Sequence, residues 1–315
     1  MNGSGQWVRS QLIFAIAAIK SGGTMDLIHE DVDRFWEIWQ TLPISDLDAC
    51  AKVLEEEYLN KGTAGLRDFW RLRIESGRQL ADTIRAFPRY YASLQATCVN
   101  LSTQEDSIRD ACSRLNDLVG QSPRTDSYFL IGCMNSAGTV SESGLLIGLD
   151  MMGRSESAPL DELGDWHRSV VRPLDELPRL VLHEYVHALQ ETSTPKTLLA
   201  NSILEGTADF VVSLLLGRHE TPHHQYGRIH EADLWVEFKD EMGGSDIDNW
   251  LCQGDSATDR PADLGYFLGH QICAAYYARQ SDPQTAVRQM LCIESFEDFA
   301  SDSGYDGEAP VANSK

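Results

Sequence analysis

Leu180-Val181-Leu182-His183-Glu184-Tyr185-Val186-His187-Ala188-Leu189-Gln190 sets two imidazoles and one carboxylate at the HExxH spacing inside an apolar, helix-favouring run. On a helix, residues four apart share a face one turn apart, so His183 and His187 can both be directed at one metal ion. Glu184, one position along, then stands beside that ion rather than on it. A zinc hydrolase needs this set: two neutral imidazole nitrogens as ligands, and a carboxylate placed to take a proton from water at the metal. The flanking Leu, Val and Ala residues predict a helix buried on most sides. A polar triplet buried there needs a partner, and a metal ion supplies one.

A second HExxH match, His219-Glu220-Thr221-Pro222-His223, contains Pro222 and lies in a polar run between Gly217 and Gly227. Within a helix that proline would remove an N–H and clash with the preceding turn, so the segment reads as a loop. Histidines 219, 223, 224 and 230 accordingly read as solvated, with adventitious metal binding as the lesser alternative.

Zinc needs a third protein ligand, and the metzincin extension of the motif fails because position 190 is Gln and position 193 is Ser. The next helix-like run, Leu198 to Leu216, holds two acids, Glu205 and Asp209, one turn apart on one face. Thr194-Pro195 suits its start and Gly217 its stop. Two antiparallel helices would bring Glu205 against the His pair and leave Asp209 to accept the other ring N–H of a ligating histidine, which fixes its tautomer. The residues alone leave open which acid is the third ligand.

HEYVH, with Glu205 18 positions after His187 and Asp209 completing an ExxxD pair, resembles the gluzincin clan of zinc metallopeptidases, the thermolysin-like group. The order of N-terminal helical region, Gly-rich strand pair, HEYVH, LEGTADF and a late Gly-Tyr-x-x-Gly helix also resembles a bacterial family of predicted Zn-dependent proteases of unknown function. That likeness runs from about Asp26 to Tyr305, with its specific part in residues 183–209. It implies Zn2+ held by His183, His187 and Glu205, with Glu184 as general base and Asp209 behind a ligating histidine. It further implies an oxyanion donor from the C-terminal lobe: Tyr266 is preferred for its Gly265-Tyr266-Phe267-Leu268-Gly269 setting, with His270 and Arg260 as alternatives. In gluzincins the strand before the zinc helix edges the cleft, so Gly138 to Asp150 is a candidate rail for a substrate backbone; a purely structural hairpin is the competing reading.

The chain has 315 residues, a formal net charge of −22 and a pI near 4.7. That charge repels nucleic acid and anionic lipid surfaces. No apolar stretch reads as approaching the roughly 20 residues of a membrane span. Leu12 to Ile19 would serve as the apolar region of a secretory signal, but Lys20 follows it and no small-x-small cleavage site does. The expected location is therefore cytoplasmic, or secreted or periplasmic if that stretch is a signal. Seven scattered cysteines without CxxC spacing suit reduced thiols.

Periodicity places helices at about Asp26–Trp39, Ser45–Asn60, Gly65–Ile74, Arg78–Val99 and Asp106–Val119. The aromatic pairs Phe35/Trp36 and Phe69/Trp70 read as core, and His29 as a surface residue. Tyr128–Cys133 and Leu145–Leu149 read as buried strands and 153–173 as a connecting loop. Later helices are expected at Ile229–Met242, after Arg260 to about Arg279, and near Pro283–Leu291 and Phe296–Ser301. The expected fold is α+β, predominantly helical: a gluzincin-like zinc-peptidase core with a small Gly-rich β element before the HExxH helix. Its expected parts are a leader (1–25), an N-terminal helical region (26–120), the β element with the zinc-binding helix pair (121–217), a C-terminal helical lobe (218–305) and a flexible tail (306–315). The expected activity is that of a zinc metallopeptidase on peptide or protein substrates. The alternatives are a zinc-holding pseudo-enzyme or binding module, or a zinc amidase on a non-peptide amide. Glu184, which a structural zinc site does not need, favours catalysis.

Overall fold

Three side-chain caps set the rhythm of the N-terminal half: the oxygens of Asp46, Thr63 and Ser76 accept hydrogen bonds from the amides of Ala49, Leu66 and Gln79. The computed structural model describes residues 20–21, 25–121, 123–191 and 196–308. Its first six helices are α1 (Glu30–Trp39), α2 (Leu47–Val53), α3 (Ala64–Phe69), α4 (Gly77–Ala86), α5 (Pro88–Cys98) and α6 (Glu105–Val119). Two of them run on in π-helical turns, α2 over Leu54–Leu59 and α3 over Trp70–Ile74. The expected Arg78–Val99 helix is two helices. Pro88 brings no N–H and disfavours the α region at Phe87, whose φ of −129° breaks the run. Phe35, Trp36 and Phe69 are core, as read, while His29 is half-buried with its Nε2 3.6 Å from Glu105 Oε1.

The strands are β1 (Lys20–Ser21), β2 (Leu27–Ile28), β3 (Pro123–Arg124), β4 (Ser127–Leu130), β5 (Gly138–Val140) and β6 (Leu145–Gly148). β1 and β3 pair with each other. The other four form one sheet in the order β2-β4-β6-β5, parallel except that β5 lies antiparallel on β6 at the edge. Leu27-Ile28 is thus a strand where sequence periodicity placed a helix; parallel pairing with Ser127-Tyr128 overrides local propensity. Two backbone bonds join Ser141 and Gly144, and the Gly148 N–H bonds to the Ala137 carbonyl. Alternation along an antiparallel pair then makes Thr139 the bonded partner of Leu146 and turns the backbone groups of Gly138 and Val140 away from the sheet.

Asp150, just after β6 in α7 (Leu149–Met152), fixes the loop that leads into β5. Its carboxylate accepts from the Gly132 N–H at 2.9 Å and the Met134 N–H at 2.6 Å. Tyr58 and Tyr91 hydroxyls donate to the carbonyls of Ile131 and Gly132. Two hydrogen bonds from the N-terminal helical segments and two to Asp150 of α7 therefore hold one buried loop, and with it the entry to the edge strand.

The second half is α8 (Asp165–Val170), α9 (Leu177–Leu189), α10 (Leu198–Leu216), α11 (Pro222–Glu241), α12 (Leu264–Arg279), α13 (Pro283–Leu291) and α14 (Phe296–Ser303). The 153–173 connection contains α8 and a 3-10 turn at Leu160–Glu162. Pro222 does not end a helix but begins one, because its fixed φ and missing N–H are free of cost in the first turn. The 219–230 region is thus mostly helical, kinked at His230, rather than a solvated loop. Thr197 caps α10; Thr194-Pro195, Leu12–Ile19 and residues 309–315 lie outside the described residues.

α10 and α12 meet backbone to backbone. A Cβ on Gly206 would come within 2.0 Å of the Gly269 carbonyl carbon, and one on Gly269 within 1.7 Å of the Ser202 oxygen. The Gly-Tyr-x-x-Gly spacing is therefore a contact surface for α10. By length and composition α10 could cross a membrane, which corrects the expectation that no stretch comes close. Yet 78% of its apolar window is buried within the fold, the pattern of a core helix. The architecture is predominantly helical with a small sheet, as an α+β protein should be.

Candidate metal centre and its cleft

α9 carries His183 and His187 one turn apart with Glu184 next to His183, and α10 packs against it with Glu205 facing the pair. His183 Nε2 and His187 Nε2 lie 3.0 Å apart, and Glu205 Oε2 is 3.3 Å from the first and 3.1 Å from the second. A tetrahedral ion with bonds of about 2.0–2.1 Å has ligand atoms separated by about 3.3–3.4 Å. The triangle of donors fits that requirement, and its N/N/O composition suits zinc.

The remaining imidazole nitrogens are tied down. Asp209 Oδ1 accepts from His183 Nδ1 at 3.0 Å. Gln190 Oε1 accepts from His187 Nδ1 at 2.9 Å, and its amide nitrogen donates to the Leu204 carbonyl at 2.9 Å, which fixes which end of the amide faces the ring. Both histidines are thereby held with Nε2 toward Glu205, as ligating imidazoles must be. Gln190, which broke the metzincin pattern, supports a ring here. The geometry sets Glu205 among the converging donors and Asp209 behind His183.

Burial alone would raise the Glu205 carboxyl, but the His187 and His183 imidazoles outweigh it and hold the pKa at about 2. Burial opposes the same shift at Asp209, which His183 carries well below the ordinary carboxylate range. Reciprocally, burial would lower both imidazoles, and the carboxylates instead push His183 well above its usual value and His187 above it. Glu184 goes the other way: burial raises its pKa. It lies against the edge strand, where a Cβ on Gly138 would meet its Oε1 at 2.4 Å.

These groups open into a cleft of about 1710 Å³, walled by the β5 edge, the end of the α3 segment, α9, α10, α11 and the start of α12. Tyr266 lies within it, nearly parallel to the His183 ring at 6.2 Å between centroids, and burial raises its pKa so that it stays a hydroxyl donor. His270 also lines the cleft, engaged with Ser213 Oγ at 3.2 Å. Arg260 does not: it pairs with Glu237 and stacks on Trp250 outside the cleft lining.

Sequence reasoning gave Arg73 no role and read His223 and His224 as solvated loop residues; all three line the cleft. His223 Nε2 is buried without a hydrogen bond, 3.9 Å from Asp209 Oδ2, and burial lowers His224 to about 3. Asp209, His223 and His224 form a second group of donor atoms lying within 4.8 Å of one another. Reading Pro222 as a helix start would have set the two histidines on a helix facing Asp209.

No curated protein and no solved structure matches the chain. Residues 167–296, which run from α8 into α14 and include every donor of the centre, match the model of a family described as "Predicted Zn-dependent protease (DUF2268)".

Proposed function

We propose that this protein is a zinc-dependent metallopeptidase of gluzincin type. The observation that carries the proposal is the triangle of His183, His187 and Glu205 donor atoms, with a carboxylate of raised pKa one residue along the same helix. A structural zinc site has no use for Glu184 or for a large cleft beside it.

Bound at that triangle, zinc would supply a Lewis acid and a water acidified to a pKa of about 7. Glu184 acts as general base, receiving a proton within the buried corner under Gly138 and returning it to the departing amine. Asp209 and Gln190 hold the imidazoles in the ligating tautomer and orientation. Tyr266 donates its hydroxyl hydrogen to the oxyanion that develops on the scissile carbonyl. The outward backbone groups of Gly138 and Val140 accept an extended peptide as an added strand, which favours a peptide over a compact non-peptide amide.

The test is turnover of an internally quenched peptide library by the zinc-loaded chain. Cleavage is expected in wild type and its loss in Glu184→Gln; cleavage by Glu184→Gln at the wild-type rate would remove Glu184 from the mechanism, and no cleavage by wild type would remove the peptidase reading.

A further inference from the structure

Arg73 stands apart from the other arginines of the cleft. Arg71, Arg172 and Arg228 pair with Asp68, Glu176 and Glu220, and Arg179 donates to the carbonyls at the end of α10. Arg218, which has no ion pair among the described residues, is exposed, whereas Arg73 is half-buried. Arg73 makes a single side-chain hydrogen bond, from Nη2 to Thr139 Oγ1 at 3.1 Å, and its Nε is buried with no partner. No carboxylate lies within ion-pairing distance of it among the described residues. An under-satisfied, part-buried guanidinium is costly unless something arrives to satisfy it.

The backbone that carries Arg73 is built for this placement. Trp70–Ile74 is a π-helical turn, closed by the Glu75 N–H bonding to the Trp70 carbonyl at 2.7 Å. Glu75 takes a φ of 64°, strained for a side chain of that size, and the Trp70 indole braces its carbonyl at 3.1 Å. Asn135, at the entrance to the edge strand, donates to the Arg73 carbonyl at 2.8 Å. π-turns and positive φ values persist where the surroundings over-determine them, and they concentrate at functional sites. Here they direct a guanidinium along β5, one residue past the glycine that covers Glu184.

We infer that Arg73 is a substrate-binding residue that takes a carboxylate of the bound peptide on the cleft wall beside Glu184. The carboxylate is an acidic side chain close to the scissile bond or the peptide's own C-terminus. A guanidinium donates charge-assisted N–H bonds that a carboxylate accepts, and here Nε is buried without a partner while one Nη2 N–H is taken by Thr139. A strand docked on the outer edge of β5 would run past this group. In a chain of net charge −22, a part-buried cation in the cleft wall without a carboxylate partner biases which substrates are retained. The inference rests on the peptidase reading for the nature of the ligand.

The test uses the full zinc-loaded chain and matched peptides: a Glu-containing peptide with amidated C-terminus, its Gln counterpart, and the Gln peptide with a free C-terminal acid. Binding is measured by fluorescence anisotropy on Glu184→Gln, and kcat/KM on wild type. One of the two carboxylate peptides should be preferred over the neutral peptide by about ten- to a hundredfold, and which one identifies the source. Arg73→Gln, placed in each background, should bring that ratio to about one, and Arg73→Lys should restore part of it. No preference in either measurement, or an equal loss on all three peptides in Arg73→Gln, overturns the inference. A chain that binds the carboxylate peptides through Arg73 and cleaves none sustains this inference and overturns the peptidase reading.

Discussion

Asp209 Oδ1 lies 3.0 Å from His183 Nδ1 while the opposite nitrogen of the same ring is 3.3 Å from Glu205 Oε2. One imidazole thus spans two carboxylates, one turn apart on α10, with distinct parts to play. Replacing Asp209 by Ala removes the acceptor that fixes the ring, and zinc affinity should fall by about ten- to a hundredfold. Equilibrium dialysis against a zinc buffer reads this directly. An unchanged affinity would mean that packing alone orients His183.

The metal-free cluster is a set of buried ion pairs, which gives it a pH signature. His183 and His187 have raised pKa values, so their contribution to stability is complete below the ordinary 6.5 and is lost as pH rises through the raised values. Glu205 and Asp209 are depressed, so theirs is complete above the ordinary 4.5 and 3.8 and is lost as pH falls through the lowered values. Thermal melts of metal-free protein should therefore show the largest contribution from this cluster between about pH 4.5 and 6.5. Zinc requires the imidazoles neutral, so calorimetry in buffers of different ionisation enthalpy should show protons released on binding and weaker binding as pH falls. Binding without proton release near pH 6.5 would contradict the raised values.

Gly138 lies directly against the Glu184 carboxylate. A methyl group there would come within 2.4 Å of Glu184 Oε1 and must displace it. A shift of about 1 Å in a catalytic group costs on the order of a hundredfold in rate. Gly138→Ala should lower kcat by that order with zinc content unchanged, as elemental analysis and turnover on one sample would show. Parallel loss of zinc would point to a wider disturbance of α9.

The α10–α12 contact should be intolerant of any side chain. Gly269→Ala sets a methyl 1.7 Å from the Ser202 carbonyl oxygen, which is backbone and cannot rotate away. Overpacking of this kind costs about 1–3 kcal/mol, and more where backbone must move, so denaturant unfolding should show at least that loss. Gly243, which has nothing within 4 Å of its added Cβ, is the control and should accept Ala without such a loss.

The candidate metal centre, a His/His/Glu cluster, was legible in the sequence because helical spacing is local. HExxH sets His183 and His187 on one face, and two acids in a long apolar run invite burial beside them. The second layer was less legible. Gln190 and Asp209 act across the α9–α10 interface, and only Asp209 sat at a spacing that suggested so. His223 and His224 were misread because a proline inside a motif was weighed as a helix breaker, when the same residue at a first helical turn favours the helix. Arg73 was invisible: it lies over a hundred residues from the motif and reaches the cleft through a π-turn and an edge strand that no local pattern announces. The strands expected at Tyr128–Cys133 and Leu145–Leu149 correspond to β4 and β6, but β5 itself and Leu27-Ile28, each too short to show alternation, were not anticipated.

The most direct test of the account is zinc content and peptide cleavage measured together on wild type, Glu184→Gln and Glu205→Gln. Wild type should hold zinc and cleave, Glu184→Gln should hold zinc and not cleave, and Glu205→Gln should lose zinc affinity while remaining folded. A wild-type chain that takes up no zinc on reconstitution would contradict the account at its centre.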